Sequence, residues 1–199
     1  MNFMALSLLL LTTHALAAFR PGDVILQPLN CYSCGLIEAQ ENSSFSHMGL
    51  IVQVEPDVLV AEALGRVRVV SLQDFLAKGD RRRAHKLMRP NLIRRVNLRR
   101  LIEPVLGADF DAAFLWDNLG RDGREALYCS EFVTKTLAQV MPRPVMPKIM
   151  RFDVNREGWR VYFNGNIPDG ELGVSPEDFH RSSSFSEKAV FEGGLWSWH

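Results

Sequence analysis

The sequence has no net charge: its 199 residues carry 23 lysines and arginines against 23 aspartates and glutamates. The overall balance therefore does not call for a polyanionic partner. Cysteine is sparse, with only Cys31, Cys34 and Cys129, too few for a disulfide scaffold. No second C-x-x-C and no paired histidines accompany Cys31 and Cys34, so the ligand set of a structural zinc site is missing. No G-x-x-x-x-G-K loop is present to cradle a phosphate. No internal repeat is visible, and no Pro/Gly/Ser-rich linker divides the chain. Beyond residue 18 no stretch is long and apolar enough to cross a bilayer. These absences argue against a P-loop NTPase, a zinc module and a repeat array, and neither metal nor cofactor is expected.

What is present fits one domain over residues 19–199. Apolar residues make up 47% of the sequence and charged residues 23%, an ordinary globular mixture. Residues 3–11 form an apolar run broken only by Ser7, followed by Ala15-Leu16-Ala17. A short apolar run ending in small-x-small predicts a removable signal peptide over residues 1–18, and hence export to the periplasm or beyond. The positive charge ahead of the run is the terminal amine alone. Export would place the cysteines in an oxidising compartment. Cys31 and Cys34 then read as a local disulfide or as two structural thiols. If they pair with each other, Cys129 is left free.

Charge is unevenly spread. Residues 81–100 contain Arg81, Arg82, Arg83, Lys86, Arg89, Arg94, Arg95, Arg99 and Arg100 and no acid. Such runs are usually solvated faces; the sharper expectation is peripheral contact with anionic headgroups or wall polymers. Interleaved aromatics are lacking, so nucleic acid is not an expected partner.

Apolar patterning predicts short strands at 24–26, 48–54, 58–63, 66–70 and 84–88. Helices are expected at 34–41, 71–76, 97–106, 110–119 and 130–140. In the last of these Phe132, Val133, Leu137 and Val140 share a face, and Pro142 and Pro144 stop it. An aromatic strand is expected at 159–163 within an otherwise irregular tail. Strands close in sequence, followed by helices, favour an α+β fold with an antiparallel sheet.

Cys129 sits at the predicted start of helix 130–140, where unpaired backbone N–H groups favour a thiolate and a developing oxyanion. A buried, inert cysteine is the blander alternative. Of the five histidines, His47 alone has an apolar strand directly behind it, and an imidazole at a sheet rim can take a thiol proton and return it to a leaving group. Glu62, flanked by Ala61 and Ala63, either orients that imidazole or faces solvent by alternation. Asp23 is a second acidic candidate, though Gly22-Asp23 also suits a turn.

Ser46-His47-Met48-Gly49, Ala61-Glu62-Ala63 and Tyr128-Cys129-Ser130-Glu131 stand in that order. With Pro21-Gly22-Asp23-Val24-Ile25 at the start, 107–111 ahead of the cysteine and Gly173-Val174-Ser175-Pro176 near the end, the sequence resembles the YiiX/YebB/YaeF-like permuted papain-fold hydrolases of the NlpC superfamily. The resemblance covers about residues 20–185. It implies a circularly permuted papain-like fold with the histidine strand ahead of the cysteine helix. It also implies Cys129 as nucleophile, His47 as base and Glu62 as the group that orients His47. Tyr128 would lie beside the site, donating to the oxyanion or shaping the pocket. Relatives are linked with amide bonds in cell-wall peptides and with lipid or acyl substrates, so peptide, wall and acyl partners are all expected classes. Cys31 and Cys34 are outside the catalytic pattern.

Overall fold

The computed structural model describes residues 19–199; the expected signal peptide at 1–18 lies outside them. A seven-stranded antiparallel sheet organises the chain. Its strands are β1 (Val24–Gln27), β2 (His47–Gln53), β3 (Leu59–Leu64), β4 (Arg66–Ser71), β5 (His85–Pro90), β8 (Phe185–Glu192) and β9 (Leu195–Trp198), in the order β4-β3-β2-β1-β5-β8-β9. A separate two-stranded ribbon pairs β6 (Lys148–Ile149) with β7 (Leu172–Gly173). The helices are α1 (Tyr32–Glu41), α2 (Leu72–Leu76), α3 (Leu98–Leu101), α4 (Cys129–Ala138), α5 (Glu157–Tyr162) and α6 (Pro176–Arg181). The α+β architecture expected from the strand order is thus present.

Alternation along the strands divides the core into two layers. Val24, Leu26, Met48, Leu50, Val52, Ala61 and Ala63 point to the face covered by α4. Ile25, Ile51, Val60, Phe75 and Leu87 point to the opposite face. Helix α4 is held by the stripe legible in the sequence: Phe132, Val133, Leu137 and Val140 are all buried in the first layer. Each such side chain contributes about 1.5–3 kcal/mol on burial.

Four segments depart from expectation. The tail expected to be irregular supplies α6 and the strands β8 and β9, because β8 pairs with β5 and so completes the sheet. Residues 97–106 form only the single turn of α3 and then a 3₁₀ turn at Glu103–Val105, because Pro104 has no N–H to continue the helix. Residues 110–119 are not helical but an irregular loop, with Phe114 at φ 53° and Asp117 at φ 62°. Asp111 takes the N–H groups of Ala113 and Leu115 at 2.9 and 2.7 Å, offering that backbone a local alternative to a helix. Residues 159–163 are not a strand: Glu157–Tyr162 is helix α5, whose Trp159 is buried with Leu36 and Phe163. Its β-like composition yields to that packing.

Gly49, the third residue of β2, marks a close approach. A methyl group there would stand 2.5 Å from Phe75 Cε2 and from Val60 Cγ1, and the same Phe75 ring stacks on His47 with centroids 5.7 Å apart. Gly49→Ala is therefore expected to lower stability by about 1–3 kcal/mol, read from the urea unfolding midpoint. An unchanged midpoint would contradict this packing.

Candidate active site

His47 opens β2 and so places its imidazole at the end of the sheet, buried on the Phe75 side. Glu62 lies within β3, directly across from Arg68 of β4. It does not face solvent: its exposure is 0%. One carboxylate oxygen meets His47 Nε2 at 2.9 Å. The other accepts from Arg68 Nε at 2.9 Å and Lys78 Nζ at 2.8 Å. Burial works against the charge, but His47 and then Lys78 hold the Glu62 carboxyl down at about 2.

Cys129 is the first residue of α4 and the one free cysteine among the described residues. It reaches the end of the sheet from the opposite layer and hydrogen-bonds to His47. With Nε2 committed to Glu62, Nδ1 is the nitrogen left for the sulfur. Burial alone would depress the imidazole, but its bonds to Cys129 and Glu62 outweigh that and push it up to about 9. The residue before the helix, Tyr128, makes no side-chain cap hydrogen bond, so no side chain competes for the first-turn N–H groups beside the sulfur.

Tyr128 has a second role in the geometry. Its hydroxyl accepts the Val174 N–H at 3.1 Å, while Ser130 Oγ donates to the Val174 carbonyl at 2.7 Å. Together they clamp residues around Val174 to the mouth of α4. Burial first, and then the nearby Glu131 charge, hold the Tyr128 phenol far above its ordinary value, so it stays protonated. Asp23 is not brought to the site. It is held by Arg89 Nε and Nη2, each at 2.7 Å, ahead of Val24, whereas the β1 residue opposite His47 is Gln27. Those four residues amount to about 13 Å of strand.

A cleft opens beside Cys129. Ile37, Phe114, Tyr128, Phe152, Trp159 and Val174 supply most of its apolar wall, while Gln40, Glu41 and Ser175 are among its few polar groups. Helix α1 forms one side, and its first turn is stapled by a Cys31–Cys34 disulfide. Gln40 of α1 donates to the Arg151 carbonyl and accepts from Asp153 N and Trp159 Nε1, tying that wall to the C-terminal segments. Phe114 was not singled out by the sequence because its position depends on the left-handed loop. Its ring stacks on Tyr162 and meets Tyr128 and Phe163 edge-on.

Asp117, Glu125 and Glu131 converge at the foot of the same loop. Lys135 already supplies the cation there, 2.6 Å from Asp117 and 2.8 Å from Glu131, and it also pairs with Glu125. Burial pushes Glu131 up to about 7 against the pull of Lys135. With an ammonium at its centre this cluster does not fit a metal ion, and no step is assigned to one.

The permuted order of a histidine strand ahead of a cysteine helix, with a carboxylate behind the histidine, defines a class of papain-like hydrolases. The chain belongs to the C92 family of permuted papain-like amidase enzymes, the YaeF/YiiX type, whose model matches residues 18–187. It is similar to the protein YiiX of Escherichia coli strain K12, with 26% identity over 97% of this chain and 98% of that protein. The crystal structure of YiiX from Escherichia coli O157:H7, titled a metalloprotein, shares the fold with a TM-score of 0.72 at 24% identity, over 90% of this chain and 98% of that one.

The pH dependence of stability follows from Glu62. A carboxyl held at about 2, against an ordinary value of 4.5, stabilises the folded chain fully above 4.5, and that contribution is lost as pH falls through 2. Glu62→Gln should cost roughly 3 kcal/mol at neutral pH and flatten the acid limb of a stability–pH curve measured by urea unfolding. An unaltered acid limb would show that Glu62 carries no such charge.

Proposed function

We propose that the chain is a thiol hydrolase that cleaves an amide bond whose acyl side is apolar. The observation that carries this reading is the free Cys129 at a helix start, hydrogen-bonded to a Glu62-backed imidazole and opening on an apolar cavity. Cys129 gives its proton to His47, and the sulfur attacks the carbonyl carbon. The first-turn N–H groups of α4 are placed to receive the resulting oxyanion. As the intermediate collapses, the C–N bond breaks and His47 returns the proton to the departing amine. Water, deprotonated by His47, then attacks the thioester and releases the acid and the thiol. Glu62 acts through His47 as a positioning residue.

The cavity distinguishes among substrates. A long acyl chain or a large apolar side chain would be desolvated by Phe114, Phe152 and Trp159. An amide within a cell-wall peptide would bring polar groups that this wall can pair with only at Gln40, Glu41 and the nearby serines, so acyl amides are the better-supported class. The proposed place of action is outside the cytoplasm. The Ala15-Leu16-Ala17 pattern and the Cys31–Cys34 disulfide both support that.

The test is hydrolysis of a series of N-acyl amino acids of increasing chain length, with intact-mass detection of an acyl adduct. Wild type should prefer the longer apolar acyl groups and accumulate a thioester on Cys129; Cys129→Ala should lose both turnover and adduct. Turnover retained by Cys129→Ala would overturn the proposal. Phe114→Ala should lower kcat/KM for the preferred acyl group by about tenfold, in line with 1–2 kcal/mol of lost apolar contact, and leave a short acetyl amide unaffected. An equal loss on both substrates would assign Phe114 to the fold rather than to the pocket.

A further inference from the structure

The basic run 81–100 is divided by β5 into two ends with different fates. Arg82 pairs with Asp80, Arg83 with Glu38, Lys86 with Glu187 and Arg89 with Asp23. The loop beyond β5 differs. Among the described residues the guanidinium groups of Arg94, Arg95 and Arg20, which line one groove, form no ion pair with an acid; that of Arg94 donates to the Gln139 carbonyl and Arg20 meets Asp23 only through its backbone N–H. The groove is lined by these three arginines and by Pro21, Leu92, Ile93 and Val96 among others. Its one acid, Asp23, is buried against Arg89. An adjoining hollow shares Leu92 and adds Arg143.

Two large apolar side chains stand out from this positive face. Leu92 is 65% exposed and Val96 43%, and they bracket Arg94 and Arg95 in the sequence. We infer that this loop, together with Arg20, is a docking face for a bilayer containing anionic phospholipid. The arginines match headgroup phosphates, each contributing about fivefold to binding near a charged surface. The exposed leucine and valine choose among anionic partners. They gain from entering the acyl boundary of a bilayer, whereas a soluble polyanion offers them nothing to be buried in. The face lies at the Asp23 end of β1, away from His47, so docking and hydrolysis use different surfaces and the inference does not depend on the proposed reaction.

Vesicle flotation of the full chain tests it, using phosphatidylcholine vesicles with and without phosphatidylglycerol. Neutral vesicles register any apolar contribution from the rest of the chain. Binding to the anionic vesicles should exceed this at least tenfold and fall with added salt, and Arg94→Glu/Arg95→Glu should erase the excess. Leu92→Ser should weaken anionic-vesicle binding severalfold while leaving retention on dextran sulfate unchanged. Arg81→Glu, an exposed charge at the other end of β5, should leave binding intact. Equal binding to both vesicle types, an unaffected double variant, an effect of Arg81→Glu as large as that of the double variant, or indifference to Leu92→Ser would each overturn the inference. Unfolding midpoints equal to wild type establish that the surface variants are folded.

Discussion

A carboxylate with no access to water must be compensated within the protein, and the arrangement around Glu62 is that compensation. One oxygen is neutralised by Arg68 and Lys78, and the other is turned to His47. The division has two results. It commits Nε2 of the imidazole, which leaves Nδ1 to the sulfur of Cys129. It also joins three consecutive strands and the turn after α2, because His47, Glu62, Arg68 and Lys78 come from β2, β3, β4 and the segment after Leu76. Phe75 stacked on His47 and the bare backbone of Gly49 beneath it complete the setting. The site is therefore anchored in the sheet, where a histidine is held more rigidly than on a loop.

The pocket is built differently. Its walls come from elements far apart in sequence, brought together by hydrogen bonds and aromatic contacts. Tyr128 and Ser130 hold the Val174 backbone, Gln40 holds residues 151–159, and the Lys135 cluster secures the foot of the 110–119 loop. That loop keeps Phe114 at a positive φ, a conformation costing of order 1 kcal/mol or more for a bulky residue. Asp111 and the ring contacts of Phe114 stabilise it.

What could be read from the sequence follows the same division. The five expected strands and the helix after Cys129 depend on local alternation and on one apolar stripe, so they were legible. So were Cys129 and His47, each marked by a position at the start of an element. Glu62 was ambiguous, because period-two alternation permits either face and only the cations at 68 and 78 decide it. The loop at 110–119 and helix α5 were misread because their conformations come from contacts with Asp111, Glu131 and Leu36 rather than from local preference. Asp23 looked chemical because it is an acid at a strand start, but its partner, Arg89, is 66 residues away. The same blindness to distant partners made the basic run look continuous.

The protonated imidazole of His47 beside Cys129 is what the chemistry rests on. Burial would lower the imidazole of an isolated His47, whereas the bonds to Cys129 and Glu62 raise it to about 9. An NMR titration of the His47 imidazole nitrogens in the wild-type chain separates the two. His47 is expected to stay protonated through neutral pH and to titrate near 9. Titration at or below the ordinary value of 6.5 would mean that burial outweighs the bonds to Cys129 and Glu62, the opposite of the arrangement described.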